Sequence, residues 1–166
     1  MSAAPQERPP AHLDVRGDYQ GEDPCSLANA LKVVGERWTF FVLREALAGT
    51  TRFSDFRSTL GIAPDVLSAR LSTLVEAGVM TRQTYREPGQ RARDAYHLTA
   101  SGRQLGLALA ALQQWGDAHT PSRAPATTAY RSDDGRPVSA GFVDDRGRPL
   151  PAERVHVERT AAHPAT

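Results

Sequence analysis

Residues 53–78 read FSDFRSTLGIAPDVLSARLSTLVEAG, and their spacing decides the fold. Phe53, Phe56 and Leu60 stand at i, i+3 and i+7, one face of a short helix stopped by Gly61. Ala63-Pro64 follows, with proline placed where a first helical position tolerates it. Leu67, Leu71 and Leu74 then mark a second buried stripe, and Gly78 stands at its C-terminal stop. Two short helices separated by so tight a turn predict a helix-turn-helix.

Working outward, Leu27, Leu31 and Val34 recur at i, i+4 and i+7, predicting a short amphipathic helix that ends near Gly35. Trp38–Leu47 is apolar on most sides and predicts a buried helix closed by Gly49. Trp38, Phe40, Phe41, Phe53 and Phe56 fall at helical core spacing. Downstream, Val79–Tyr85 and Asp94–Leu98 are rich in strand formers around the turn Glu87-Pro88-Gly89-Gln90, which predicts a β-hairpin. Thr99 supplies an N-cap for a last helix carrying Leu105, Leu109 and Leu112 in register.

The expected fold class is therefore mainly α with a small β-hairpin: a winged helix-turn-helix with flanking dimerisation helices, over residues 24–120. Residues 1–23, rich in Pro, Gly and charge, read as a disordered N-terminal tail. Residues 121–166 read as a linker and a small β-like C-terminal extension. There Val138–Val143 is expected to pair with Val155–Val157 across Asp144–Gly147, with no internal repeat. Such a hairpin is too small to stand alone, so it docks on the main domain or stays loose.

Charge is unevenly placed. Residues 1–24 hold five acids and two arginines (−3), residues 25–119 eleven basic and eight acidic groups (+3), and the remainder seven and six (+1). The one concentrated positive stretch is Arg82–Arg93, with four arginines against Glu87. No apolar run approaches the roughly 18 residues of a membrane helix, and the start of the chain lacks a signal-peptide layout. A cytoplasmic, nucleoid-associated protein without membrane contact is expected. The single cysteine, Cys25, excludes an intramolecular disulfide and any multi-thiolate metal site. The chain has no Gly-rich phosphate loop, no Ser/His/Asp spacing and no HExxH, and its five histidines are scattered, so neither an enzyme nor a cofactor is expected.

These residues resemble the HxlR family of bacterial regulators, relatives of the MarR group. The matching pieces are Cys25 and Gly35-Glu36-Arg37-Trp38-Thr39, then Leu43-Arg44 and Arg52-Phe53-Ser54-Asp55-Phe56. Pro64-x-Val66-Leu67-Ser68-x-Arg70-Leu71, Leu74, Gly78, Tyr96-x-Leu98-Thr99 and Gly102 follow in order. The resemblance implies a homodimeric winged helix that binds operator DNA and responds to electrophiles, oxidants or a small-molecule effector. It also marks Cys25 as a redox-sensing candidate at a helix start. One departure is Ala63, where relatives often carry Ser or Thr. The missing hydroxyl removes a cap of about 1 kcal/mol, for which Asp65 compensates in part through the helix dipole.

On a wheel with Leu67, Leu71 and Leu74 inward, Asp65, Ser68, Ala69, Ser72 and Glu76 point outward. That face is small and polar, suited to approach base edges in a major groove. Pro64 opens the helix, and Arg70 at the edge of the stripe reaches a phosphate or pairs with an acid such as Asp55. The hairpin tip, with Arg86, Gln90, Arg91 and Arg93, would lie over a minor groove. Arg37 and Arg52, near the starts of the second and third helices, are expected to add backbone contacts. Two copies would space recognition helices about 34 Å apart and demand a palindromic operator in double-stranded DNA. The rival reading is a winged helix used for protein–protein contact without DNA readout.

Overall fold

Six residues with no solvent exposure, Val42, Leu43, Phe56, Leu67, Leu71 and Leu74, come from three different helices and fix how those helices meet. The computed structural model describes residues 25–120 and 128–158. The expected N-terminal tail and most of the linker lie outside the described residues. In order come α1 (Ser26–Val34), α2 (Arg37–Leu47), α3 (Phe53–Leu60), α4 (Pro64–Glu76), β1 (Met80–Tyr85), β2 (Arg93–Leu98) and α5 (Ala100–His119). Two short strands, β3 (Phe142–Val143) and β4 (Pro149–Leu150), and a 3-10 turn at Ala152–Arg154 complete the described chain.

The helix-turn-helix forms because the apolar spacing of α3 and α4 matches the helical period. Leu67, Leu71 and Leu74 are fully buried and pack with Phe56, Val42 and Leu43. The turn between the helices is Gly61–Ala63. Gly61 stops α3 in the left-handed conformation, φ 61°, which a side chain would make costly. β1 and β2 pair antiparallel from Met80↔Leu98 to Tyr85↔Arg93. A short piece before α3 joins them: the Tyr96 amide donates to the Thr51 carbonyl at 2.8 Å, and Arg52 bridges Ala95. β2 is therefore the middle of the wing rather than an edge of a lone hairpin. α5 begins as expected, with the Thr99 hydroxyl accepting from the Gly102 amide at 3.1 Å.

Two apolar stripes are covered only in part, and one expected strand pairing fails. Leu27 and Leu31 are 67% and 49% exposed, while Ala28 and Val34 are the residues that α1 buries. A helical pattern identifies an apolar face but not the surface that covers it, and in α1 only Val34 of that face joins the core. Leu112 on α5 is likewise 54% exposed, although Leu109 beside it is buried. The C-terminal strands do not involve Val155–Val157. Phe142 pairs with Leu150 and Val143 with Pro149, and Val157 is 98% exposed.

The extension is also built from an internal repeat that the sequence reading missed. Tyr130–Val138 and Phe142–Leu150 align with an offset of twelve residues (144 − 132) and share the ending Gly-Arg-Pro followed by Val or Leu. Both make the same turn. Ser132 and Asp144 each donate an amide to the carbonyl four residues on, Arg136 and Arg148, at 2.9 Å. Gly135 and Gly147 sit at φ 82° and 75° and donate back to Ser132 and Asp144. The repeat escapes a sequence scan because one copy has Ser132-Asp133-Asp134 where the other has Asp144-Asp145-Arg146.

This unit docks on the main domain through two glutamine side chains of α5. Gln113 donates to the Thr128 carbonyl at 2.8 Å and accepts from the Thr128 hydroxyl at 2.7 Å. Gln114 donates to the Ala140 carbonyl at 3.0 Å and accepts its amide at 2.6 Å. Each side-chain amide thus completes hydrogen bonding that a two-strand unit cannot supply itself. Tyr130 packs against the helical core near Arg44, and burial raises its hydroxyl pKa above the usual tyrosine value while the Arg44 charge lowers it.

Candidate nucleic-acid interface

Burying the leucine stripe of α4 forces its opposite face into solvent. Pro64, Asp65, Ser68, Ala69 and Ser72 are all exposed, with no large side chain among them. Pro64 occupies the first turn, where its missing N–H costs nothing, and Ala63 supplies no side-chain cap. Asp65 is the acidic group of that turn. The Thr73 hydroxyl is turned back onto the Ala69 carbonyl at 3.0 Å and is not presented outward.

Arg70 departs from that face. Its Nη1 lies 3.9 Å from Glu36 Oε2 rather than near Asp55, and its Nε is buried without a hydrogen-bond partner. Glu36 precedes α2, so this pair ties α4 to the start of α2. Arg37, next in sequence, is exposed and stacks over the Trp38 ring at 5.3 Å and the Phe41 ring at 5.6 Å. The helix dipole repels a cation at this end, and the two ring faces offset that.

At the wing the arginines divide into engaged and unengaged groups. Arg52 contacts Glu87 at 2.9 Å and lies 5.1 Å over the Tyr85 ring, bracing the wing against the start of α3. Arg86 Nε donates to the Gln90 carbonyl at 3.1 Å, and the Gln90 amide donates to Glu87 at 3.0 Å. With Gly89 at φ 75°, these bonds define the tip. Arg82 lies 3.9 Å from Asp94, which also accepts from the Thr84 hydroxyl at 2.9 Å. Burial, and then the Asp94 charge, raise the Tyr96 hydroxyl pKa; Arg82 opposes both. Arg91 and Arg93 are exposed, and neither side chain has a hydrogen bond or ion pair among the described residues. They are the two wing cations with guanidinium groups open to an incoming anion.

The structure thus brings Asp65, Ser68, Ala69 and Ser72 onto one face and leaves Arg91 and Arg93 open on the wing. It turns Arg52, Arg86 and Arg70 toward structural partners. Sequence reading missed Arg57, exposed on α3 and without a partner among the described residues. The only signal was its place between Phe56 and Leu60, off the buried stripe. Cys25 is exposed and immediately precedes α1. Among the described residues no group of His, Cys, Asp and Glu is arranged to hold a metal, and no helix is long and apolar enough to cross a membrane.

A tight helix pair, an exposed small-residue face and a braced two-strand wing define a winged helix-turn-helix, and the HxlR-like helix-turn-helix family model matches residues 33–124. The chain belongs to that family. A curated relative, the HTH-type transcriptional regulator Rv3095 of Mycobacterium tuberculosis, itself uncharacterised, is 43% identical over 108 residues. That alignment takes in 65% of each chain, so this chain spans about two thirds of its relative's length. Among solved structures, the candidate transcription factor PA1607 superposes with a TM-score of 0.70 at 34% identity, covering 84% of this chain and 97% of its own. Residues 25–120 are 96 of 166, or 58%, so that match takes in part of the C-terminal extension as well. The redox regulator HypR in its reduced form matches at TM-score 0.51 and 25% identity, over 57% of this chain and 92% of its own.

Proposed function

We propose that this HxlR-like protein is a sequence-specific DNA-binding transcription regulator that works as a homodimer and represses its target. The observation that carries the reading is the pairing of one exposed, small-residue face on α4 with two unpartnered arginines on the wing. Ser68 and Ser72 would meet base edges or phosphates in a major groove, and Ala69 a thymine methyl. Arg91 and Arg93 would follow the neighbouring minor groove. The rival use, protein contact without DNA, gains nothing from unpartnered cations at the tip.

Dimerisation is supported by apolar surface that one copy leaves open. Leu27 and Leu31 on α1 and Leu107, Leu112 and Trp115 on α5 are each about half exposed or more. Large aliphatic and aromatic groups standing open on two flanking helices are what a second copy would cover. A two-fold dimer places two recognition helices one duplex turn apart, and the operator is then a palindrome in double-stranded DNA.

The signal is assigned to Cys25. Its thiol is exposed at the start of α1, and α1 carries part of the open apolar surface. Oxidation or alkylation there would alter how α1 meets a second copy. HypR, a redox regulator, shares the fold. Enrichment of bound sequences from a random DNA pool tests the reading: a two-fold symmetric consensus supports it, and failure to enrich any sequence refutes it. Diamide or a quinone should release that DNA from the wild type and not from Cys25→Ser. Equal release from both would remove Cys25 from the account.

A further inference from the structure

A groove of about 390 Å³ runs between the start of α3 and the wing. Three aromatic rings line it, Phe53, Tyr85 and Tyr96, together with Ser54, Arg57, Arg93 and Asp94. All three rings are half-buried, and Arg52, stacked on Tyr85, limits how far that ring swings. The volume sits at the small end of the range for small-molecule sites, about 300–1,000 Å³.

Its charge is unbalanced. Asp94 is the one acid in the lining, and its carboxylate already accepts from Thr84 and faces Arg82. The Arg57 and Arg93 side chains have no hydrogen-bond or ion-pair partner among the described residues. Two guanidinium groups beside an aromatic wall match one ligand chemistry. A planar ring can lie against Phe53 and the tyrosines, while its anionic group takes fork-like hydrogen bonds from arginine.

We propose that this groove binds a small aromatic anion, a ring bearing a carboxylate or phosphate. Arg57 and Arg93 hold the anionic group, and Phe53, Tyr85 and Tyr96 hold the ring. Arg57 belongs to α3 and Arg93 to β2, so one ligand spans the helix-turn-helix and the wing. The binding site stands by itself. Its consequence, withdrawal of Arg93 from a DNA phosphate and release of the operator, rests on the DNA-binding reading above.

Calorimetric titration of the DNA-free full chain with benzoate, phenyl phosphate, benzamide and inorganic phosphate tests the site. Benzoate and phenyl phosphate should bind at least about tenfold more tightly than benzamide or inorganic phosphate, about 1.4 kcal/mol. Arg57→Ala should weaken benzoate by a similar factor. Arg57 is exposed and unpaired, so the variant should keep the wild-type circular dichroism. Equal binding of benzamide would overturn anion recognition. Inorganic phosphate binding as tightly as phenyl phosphate would make the groove a seat for the DNA backbone instead, and no binding by any of the four would remove the site. With labelled operator, benzoate should release the wild type but not Arg57→Ala. Arg57-dependent benzoate binding by a protein that enriches no DNA would sustain the ligand site and refute the regulator reading separately.

Discussion

The wing supplies the sharpest quantitative test, because its arginines are unequal. Arg91 and Arg93 are open, whereas Arg52 is held by Glu87 at 2.9 Å and by the Tyr85 ring. Each phosphate neutralised on duplex DNA contributes about 0.9 to the slope of log affinity against log salt. Two open arginines on each of two wings give four such contacts, so Arg91→Ala with Arg93→Ala should reduce the slope by about 3.6. Across a fourfold rise in salt, from about 50 to 200 mM, the wild type would lose about 150-fold of affinity that the variant has already forgone. Fluorescence anisotropy of a labelled operator at several salt concentrations measures this directly. Arg52→Ala is the control: its cation is already paired with Glu87, so the slope should change by no more than about one unit. An unchanged slope in the double variant, or an equal loss in Arg52→Ala, would refute the division into open and engaged arginines.

Further predictions concern the frame. Gly102→Ala should destabilise the protein by about 1–3 kcal/mol in denaturant unfolding, despite the helix propensity that alanine adds. Its Cβ would clash with the Val79 carbonyl, which also accepts from the Thr99 amide at 3.0 Å, so the start of α5 must move away from Val79. Replacing Leu112 with Glu and Trp115 with Ser should shift sedimentation toward a monomer and weaken operator binding; an unchanged dimer would exclude that face of α5. Gln114→Ala removes both bonds to Ala140 and should speed amide exchange at Ala140 while leaving the winged-helix unfolding transition in place. In an alkaline titration, Tyr96 and Tyr130 should ionise later than free tyrosine, since burial raises both. Unfolding releases those protons earlier, so this contribution to stability is present at neutral pH and lost as pH climbs past about 10. Tyr96→Phe with Tyr130→Phe should remove the late phase from the ultraviolet phenolate signal.

The extension changes how α5 should be regarded. That helix carries the open residues Leu107, Leu112 and Trp115, and it also holds the repeat unit through Gln113 and Gln114. Gln113 and Gln114 follow one another, so a single turn of helix carries both anchors. Tyr130 then reaches back to the core near Arg44. Any movement of α5 is felt by the unit, because each of the two glutamine side chains holds it through a pair of hydrogen bonds.

The amino-acid sequence alone determined what is local. Helical spacing in 53–78 placed α3 and α4, left-handed glycine stopped α3 at Gly61, and Thr99 capped α5. Burying Leu67, Leu71 and Leu74 also dictates that Ser68, Ala69 and Ser72 face solvent, since one helix cannot turn both sides inward. Tertiary structure decided which apolar faces find cover and which charges find partners. The i, i+4, i+7 spacing that is wholly buried in α4 leaves Leu27 and Leu31 exposed in α1, because nothing in a 3.6-residue period states what lies opposite. Arg52, Arg70, Arg91 and Arg93 are one residue type in one chain. Glu36 and Glu87, brought near from distant positions, engage the first two and leave the last two open. The repeat in the extension shares only an Asp and Gly-Arg-Pro in sequence, and the rest of its likeness lies in turn hydrogen bonds and glycine dihedrals, which unlike residues such as Ser132 and Asp144 can share.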